Sequence, residues 1–322
     1  MQPGSDIYWD KFWQLTEGCT PCSPGCIHCW SARRTNRLSA NPRIKNVEKK
    51  RGLVNSDLKF NGQVRIREGL LELPLKTKQP TVFFILNDLF HEGVPDAFIA
   101  DAYSVMHGCD RHIYLNLTKR ADRLLSYFQK SFLQSYKGRD HIWHILTICN
   151  QDEADRNIPK ILQIPGNKGL SIEPMLGAIK LKPSWILGYD FSGGYRVNAP
   201  RIDAVILGGE SGPGARPLHP AWVRSIRDQC ATASVPFYFK QWGQYKPGCW
   251  FYCEDDYLKD SCLDQPHILL RENGYQWQVC DRNYRIIDGQ PPHDCYVMHP
   301  TSKKKAGRVL DGRTHDDLPW LK

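Results

Sequence analysis

Four cysteines fall within eleven residues near the N-terminus, in Cys19-Thr-Pro-Cys22-Ser-Pro-Gly-Cys26-Ile-His-Cys29. The spacing is C-x2-C-x3-C-x2-C, and Cys22, Cys26 and Cys29 by themselves read C-x3-C-x2-C. A loop this short aims three thiolates at one compact cluster. Three cysteines on a four-iron cube leave one iron without a protein ligand, and that open iron can bind a small molecule and pass it an electron. Other readings compete. Zinc sites usually pair two C-x2-C knuckles about 12–20 residues apart, whereas three residues separate the pairs here. A fully ligated electron-transfer cluster also uses dense cysteine runs, and a disulfide needs an oxidising compartment.

A second set of polar residues recurs at regular intervals. Short runs rich in β-branched and aromatic residues begin at Thr81, His112, His141, Gly169, Ala204 and Pro236, and they read as buried strands. Helical periodicity fills the gaps at about 96–107, 120–134, 152–164 and 219–233. Strand alternating with helix predicts an α/β fold with a parallel sheet, a TIM-like barrel or part of one. In parallel barrels the C-terminal strand ends form the active-site rim. Here they carry Asn87-Asp88, Thr118-Lys119-Arg120, Cys149-Asn150-Gln151-Asp152, Glu173-Pro174, Gly208-Gly209-Glu210-Ser211-Gly212 and Lys240-Gln241-Trp242. Any one of them alone is explained by a cap, a turn or a salt bridge. Six together predict a site. Gly208-Gly209-Glu210 resembles a phosphate loop but lacks the Lys-Ser/Thr ending of a P-loop.

The 322 residues suffice for one large α/β domain or two ordinary ones, and 41% hydrophobic with 24% charged residues is globular composition. The polar start Met-Gln-Pro-Gly-Ser-Asp reads as no signal peptide, and no apolar run approaches the roughly 20 residues of a membrane helix. The expectation is a cytoplasmic protein with no membrane partner, whose twelve cysteines are thiols or metal ligands. Net charge is +9, and between Arg33 and Arg51 eight Lys or Arg stand against one acid, Glu48. Such a stretch suits a polyanion or is a solvated surface. Two segments break the barrel pattern: a basic excursion at about 31–79, and residues 244–322, where Cys249, Cys253, Cys262, Cys280 and Cys295 stand among aromatics as an auxiliary metal site or as incidental thiols. Residues 1–243 are then the barrel domain and 244–322 an extension.

The chain resembles the phage Gp37/Gp68 family, a set of radical-SAM-like proteins. The matching segments are Gly18-Cys19, Ser23-Pro-Gly-Cys26-Ile-His-Cys29-Trp30, Asn87-Asp-Leu-Phe-His-Glu92, Leu117-Thr-Lys-Arg120, Ala154-Asp-Arg156, Ser171-Ile-Glu-Pro174, Gly208-Gly-Glu-Ser-Gly-Pro213, Arg227-Asp-Gln-Cys230, Phe239-Lys-Gln-Trp-Gly243 and Ala306-Gly-Arg-Val-Leu-Asp-Gly-Arg313. They run in order over nearly the whole chain. The resemblance implies a partial (β/α)6 barrel of the radical-SAM type, a [4Fe-4S] cluster, S-adenosyl-L-methionine (SAM) and an external electron donor of flavodoxin or ferredoxin type. The family spacing C-x6-C-x2-C maps onto Cys19, Cys26 and Cys29; Cys22 stands where the family has an aliphatic residue and remains the alternative third ligand. Trp30 stands where the family often has Tyr, and Asn87 where Ser is expected. Reductive cleavage of SAM would give a 5′-deoxyadenosyl radical that abstracts a substrate hydrogen. Asp88 is the candidate for the SAM ammonium, Lys119 and Arg120 for its carboxylate, and Glu173 or Asn150 for the ribose. Gly208, Gly209 and Glu210 lie against SAM or substrate, and Lys240 and Gln241 reach substrate. The expected substrate is a base in nucleic acid, such as a hypermodified pyrimidine of phage DNA, or a nucleotide. A peptide or small metabolite as substrate, a plain electron carrier, and a non-catalytic metal-containing nucleic-acid-binding protein are the competing readings.

Overall fold

The computed structural model describes residues 7–130, 140–192, 195–247, 267–271, 278–280 and 295–321. Its centre is a curled, half-barrel sheet of seven parallel strands. In chain order the elements before and within it are β1 (Lys11–Trp13), β2 (Thr16–Gly18), α1 (Trp30–Ser39), β3 (Val64–Ile66), α2 (Leu73–Lys76), β4 (Val82–Ile85), α3 (Asp96–Gly108), β5 (Ile113–Thr118), α4 (Ala121–Lys130), β6 (Ile142–Thr147), α5 (Gln151–Ile161), β7 (Asn167–Ile172), α6 (Pro183–Ile186), the hairpin β8 (Tyr189–Ser192) and β9 (Tyr195–Asn198), β10 (Ala204–Gly208), α7 (Pro220–Thr232) and β11 (Phe237–Gln241). The sheet order is β1-β4-β5-β6-β7-β10-β11. All six expected strands are present, and the four expected helical stretches hold α3, α4, α5 and α7. The six-strand expectation is short by one: Lys11–Trp13 pairs in parallel with β4 and adds a seventh strand at the edge.

Alternation along each strand sorts the core into two layers. Phe83, Ile85, Tyr114, Leu146, Leu170, Val205 and Phe239 face the helices. Val82, Phe84, Leu86, Leu115, Ile145, Ile206 and Tyr238 fill the concave side. There the two ends of the chain meet: Tyr8, Leu318 and Trp320 belong to the same buried cluster, and the Trp320 indole N–H donates to the Tyr8 carbonyl at 3.1 Å. Residues 315–317 also bond the outer edge of β11, through Phe239 N to His315 O and Asp317 N to Phe237 O, so that edge is covered.

Several contacts tie the basic excursion to the half-barrel, and one of them is a buried charge cluster. β2 pairs antiparallel with β3, and between them Glu17, fully buried, accepts hydrogen bonds from Lys50 Nζ, from Arg67 Nη1 at 2.6 Å and from Gln14 Nε2 at 2.8 Å. Beyond the half-barrel, β12 (Tyr245–Pro247), β13 (His267–Arg271), β14 (Gln278–Cys280) and β15 (Cys295–Pro300) form an antiparallel sheet in the order β12-β15-β13-β14. Cys249, Cys253 and Cys262 lie outside the described residues. Cys280 pairs with His267 and Cys295 with Arg271, at opposite ends of β13. The triple lysine 303–305 forms the short helix α8 (Lys303–Ala306), with Ser302 capping it. No helix of the described residues is long and apolar enough to cross a membrane.

One polar chain in the helix-facing core makes stability depend on pH. Asn116 Nδ2 donates to Tyr103 Oη at 3.0 Å, and Tyr103 Oη lies 3.1 Å from His144 Nδ1. Burial, aided by the charges of Lys168 and His107, lowers the His144 pKa to about 3, against about 6.5 in an unfolded chain. Between those values the unfolded state takes up a proton that the folded state refuses, so stability present above pH 6.5 is lost as pH falls through this window. From pH 7 to pH 5 this residue alone is expected to cost about 2 kcal/mol. Urea midpoints at both pH values would show it: His144→Phe should lose less between them than the parent, and an equal loss would remove His144 as the cause.

Candidate functional site

Because the central strands are all parallel, their C-terminal ends open on one side, and a cavity of about 480 Å³ lies there. The cysteine loop covers it. Gly18 makes the entry possible: its φ is +89°, and a Cβ there would stand 2.0 Å from the Gln63 carbonyl oxygen. Ser23 caps a 3₁₀ turn at Pro24–Cys26 by accepting from Gly25 N at 3.1 Å, and Cys29 stands at the N-cap of α1. Cys19, Cys22, Cys26 and Cys29 all line the cavity; Cys22 is exposed and the other three are half-buried.

Two arginines hold this loop from different parts of the sheet. Arg120 follows β5 and is 7% exposed. It donates from Nη2 to the Thr20 carbonyl at 2.8 Å, from Nη1 to Asp88 Oδ2 at 2.9 Å, and from Nε to Glu92 Oε2 at 2.9 Å; its Nη1 also lies 3.7 Å from Cys19 Sγ. Asp88 accepts in addition from Thr118 Oγ1 at 2.8 Å. Arg216 makes a two-toothed pair with Glu210, Nε to Oε2 at 2.8 Å and Nη2 to Oε1 at 2.6 Å, and Nη2 reaches the Pro24 carbonyl at 3.0 Å. The two anchored carbonyls, of Thr20 and Pro24, lie on either side of Cys22. His91 adds a third tie: its Nδ1 accepts from Gly93 N at 2.9 Å, which leaves Nε2 to donate to Thr20 Oγ1 at 2.8 Å.

The thiols differ sharply. The neighbouring Cys22 thiol, helped by the Lys119 ammonium, lowers the Cys26 pKa to about 5, and the closeness of Cys26 raises that of Cys22. Burial pushes Cys19 up to about 12, with Asp88 adding to the rise, and burial raises Cys29 as well. Lys119 lines the cavity half-buried, its cation favouring thiolate at both Cys26 and Cys29.

Deeper in, the concave face presents an ion pair in aromatic surroundings. Lys240 Nζ lies 2.9 Å from Glu173 Oε1 and about equally far, 5.4 and 5.5 Å, from the ring centres of Tyr8 and Trp9. Glu173 Oε2 accepts from Ser171 Oγ at 3.2 Å and Tyr8 Oη at 3.4 Å. Gln241 donates from Nε2 to the Gly209 carbonyl at 2.7 Å, while its buried Oε1 has no hydrogen-bond partner among the described residues. Phe12, Trp30, Phe60 and Phe84 complete the walls.

Of the residues singled out in the sequence, Asn87, Asp88, Lys119, Arg120, Glu173, Gly209, Glu210, Lys240, Gln241 and the four cysteines line this one cavity. Asn87 joins the loop to the sheet, accepting from Ser31 Oγ at 2.7 Å and donating to the Thr16 carbonyl at 2.8 Å. Asn150 and Gly208 are not among the lining residues. The Asn150 side chain caps α5 by accepting from Glu153 N at 2.9 Å. Gly208 leaves room for the Glu173 carboxylate, which a Cβ would approach to 2.7 Å. Gly209 lets the Trp242 carbonyl pass where a Cβ would meet it at 2.1 Å. Glu173 pairs with Lys240 and not with Lys119. Sequence reading missed Arg216, His91, Tyr8 and Trp9. Arg216 carried a signal, a lone cation six residues after a strand-end acid; the aromatic pair near the N-terminus carried none.

Among the described residues no three His, Cys, Asp or Glu side chains are grouped so as to hold a single metal ion. No curated protein and no solved structure matches this chain. The model of a family described as "Protein of unknown function (DUF5131)" matches residues 4–319, and the chain belongs to that family.

Proposed function

We propose that the protein is a radical SAM enzyme whose half-barrel carries a [4Fe-4S] cluster on the cysteine loop. The observation that carries this reading is the convergence of that loop on the C-terminal ends of seven parallel strands, with four thiols lining a cavity there. The donor set fits the group. Thiolate ligands are what an iron–sulfur cluster requires. Lys119 and Arg120 set positive charge beside the thiols, as a cluster of net negative charge needs. Cys19, Cys26 and Cys29 would hold it, with Cys22 as the alternative to Cys19. The resemblance to the phage Gp37/Gp68 family supports the same assignment. Bound there, cluster and SAM would supply the chemistry of one-electron reductive cleavage of SAM, the electron coming from an external donor.

The chain's own residues do the positioning. Arg120 and Arg216 fix the two halves of the loop against the sheet, and Asp88, Glu92 and Glu210 orient those arginines. Their carboxylates are largely occupied by this work, so in our reading they act on the loop rather than on SAM. Lys119 is then the cation for the SAM carboxylate, and the unpaired Gln241 oxygen the acceptor for a ligand N–H. Lys240 and Glu173 face the substrate end, where aromatic walls keep water from a reactive centre.

Anaerobic reconstitution with iron and sulfide, reduction, and assay of 5′-deoxyadenosine after SAM addition tests the reading, with Cys26→Ala beside it. Product is expected from the parent and none from the variant. A well-formed cluster that never cleaves SAM would turn the assignment to electron transfer.

A further inference from the structure

Of the eight cations between Arg33 and Arg51, the fold removes one, since Lys50 is buried on Glu17. Arg34 is half-buried and Arg37, Arg43, Lys45, Lys49 and Arg51 are exposed along a stretch that starts at the cavity. Helix α1 begins there, with Trp30 and Ser31 lining the cavity, and carries Arg33, Arg34 and Arg37 with no acid. Arg34 lies over the ring of Phe12, a cavity wall, at 5.7 Å, and Arg33 Nη2 lies 3.4 Å from Nδ1 of His28, another. Beyond α1, Arg43, Lys45 and Lys49 are exposed, with Glu48 the one acid nearby. None of Arg33, Arg34, Arg37, Arg43, Lys45 and Lys49 has a carboxylate partner among the described residues. At the cavity end of this surface Trp30 is 47% exposed.

We propose that this surface binds single-stranded nucleic acid, the phosphodiester backbone running along α1 and the turn after it and one unstacked base entering the aromatic cavity. The proposal names a substrate class for the site above, and it rests on that reading only for what is done to the base. A row of unneutralised arginines and lysines answers a row of phosphates, and exposed rings beside it answer bases. A duplex would have to release a base to fill a concave cavity of about 480 Å³. An anionic membrane or an acidic peptide would meet the cations but leave the aromatic hollow idle.

Fluorescence anisotropy with a labelled 12-nucleotide strand and the full-length protein decides the matter. Affinity should fall steeply with salt. The triple variant Arg37→Ala, Arg43→Ala, Lys45→Ala, all exposed positions, should bind at least about tenfold more weakly at 0.1 M salt and lower the slope of log K against log salt by about 2. The triple variant Lys11→Ala, Lys76→Ala, Lys78→Ala removes the same charge near the N-terminal ends of the strands and should change little. Equal losses in the two triples, no binding at low salt, or equally tight binding of poly-glutamate or of phosphatidylserine vesicles would overturn the proposal. Binding needs neither cluster nor SAM. A strand that binds without 5′-deoxyadenosine ever forming sinks only the enzyme reading; cleavage of SAM without strand binding sinks only this one.

Discussion

Cys19→Ala protein, reconstituted anaerobically, is expected to hold almost no iron, and Cys22→Ala protein about four iron per chain. The sequence offers two spacings, and the family resemblance favours the one that uses Cys19. The fold separates the two thiols. Cys19 is half-buried, packed with Cys29 against Ala32, Leu53 and Phe60, and faces Arg120 Nη1 at 3.7 Å. An N–H aimed at a ligand sulfur is the kind of outer partner that orients and tunes a metal site. Cys22 is exposed and is not part of that packed cluster. Iron content and the visible absorbance of the two variants give the answer directly. A colourless Cys22→Ala with an intact Cys19→Ala would make Cys22 the third ligand and turn Arg120 into a purely structural tie.

The strands were legible in the sequence because each is buried on both faces, and a run such as Val-Ile-Leu flanked by turn residues has few other uses. Strand β1 was not, since Lys-Phe-Trp is three residues long and its first position is exposed. The site was legible as a place and less so as a mechanism. The strand-end acids and bases do gather round one cavity, and the structure adds protein partners for Asp88, Arg120 and Glu210 that the sequence does not show. An ionised residue at a strand end looks ligand-facing whenever its partner is invisible. Here the partners are one another and the cysteine loop, and the pairings depend on distances across the barrel that no local spacing encodes. The basic stretch shows the same limit. Lys50 reads as one more surface cation, yet it is buried because the excursion folds back on β2.

That buried contact carries the second large effect. Glu17→Gln is expected to destabilise the protein by about 3–5 kcal/mol. The carboxylate is fully buried and takes donors from three places: Gln14 on its own segment, Lys50 from the excursion and Arg67 just after β3. A neutral amide keeps the shape and leaves two largely buried cations without a counter-charge, which is the costly way to break such a group. Replacing all three charged members by Met should recover much of the loss, because an apolar set of similar size has no desolvation to repay. The effect should also reach the site. Glu17 stands two residues before Cys19, whose carbonyl accepts from Gly62 N at 3.2 Å within the same excursion. Loosening the excursion therefore frees one end of the cysteine loop, and labelling of the loop thiols in the metal-free protein should speed up in Glu17→Gln and slow again in the triple variant. Urea unfolding gives the first number and a thiol-reactive probe the second. A cost below about 1 kcal/mol would mean that water reaches Lys50 and Arg67 and that the charge is screened. A full cost with unchanged labelling would mean that Arg120 and Arg216 hold the loop without help from the excursion.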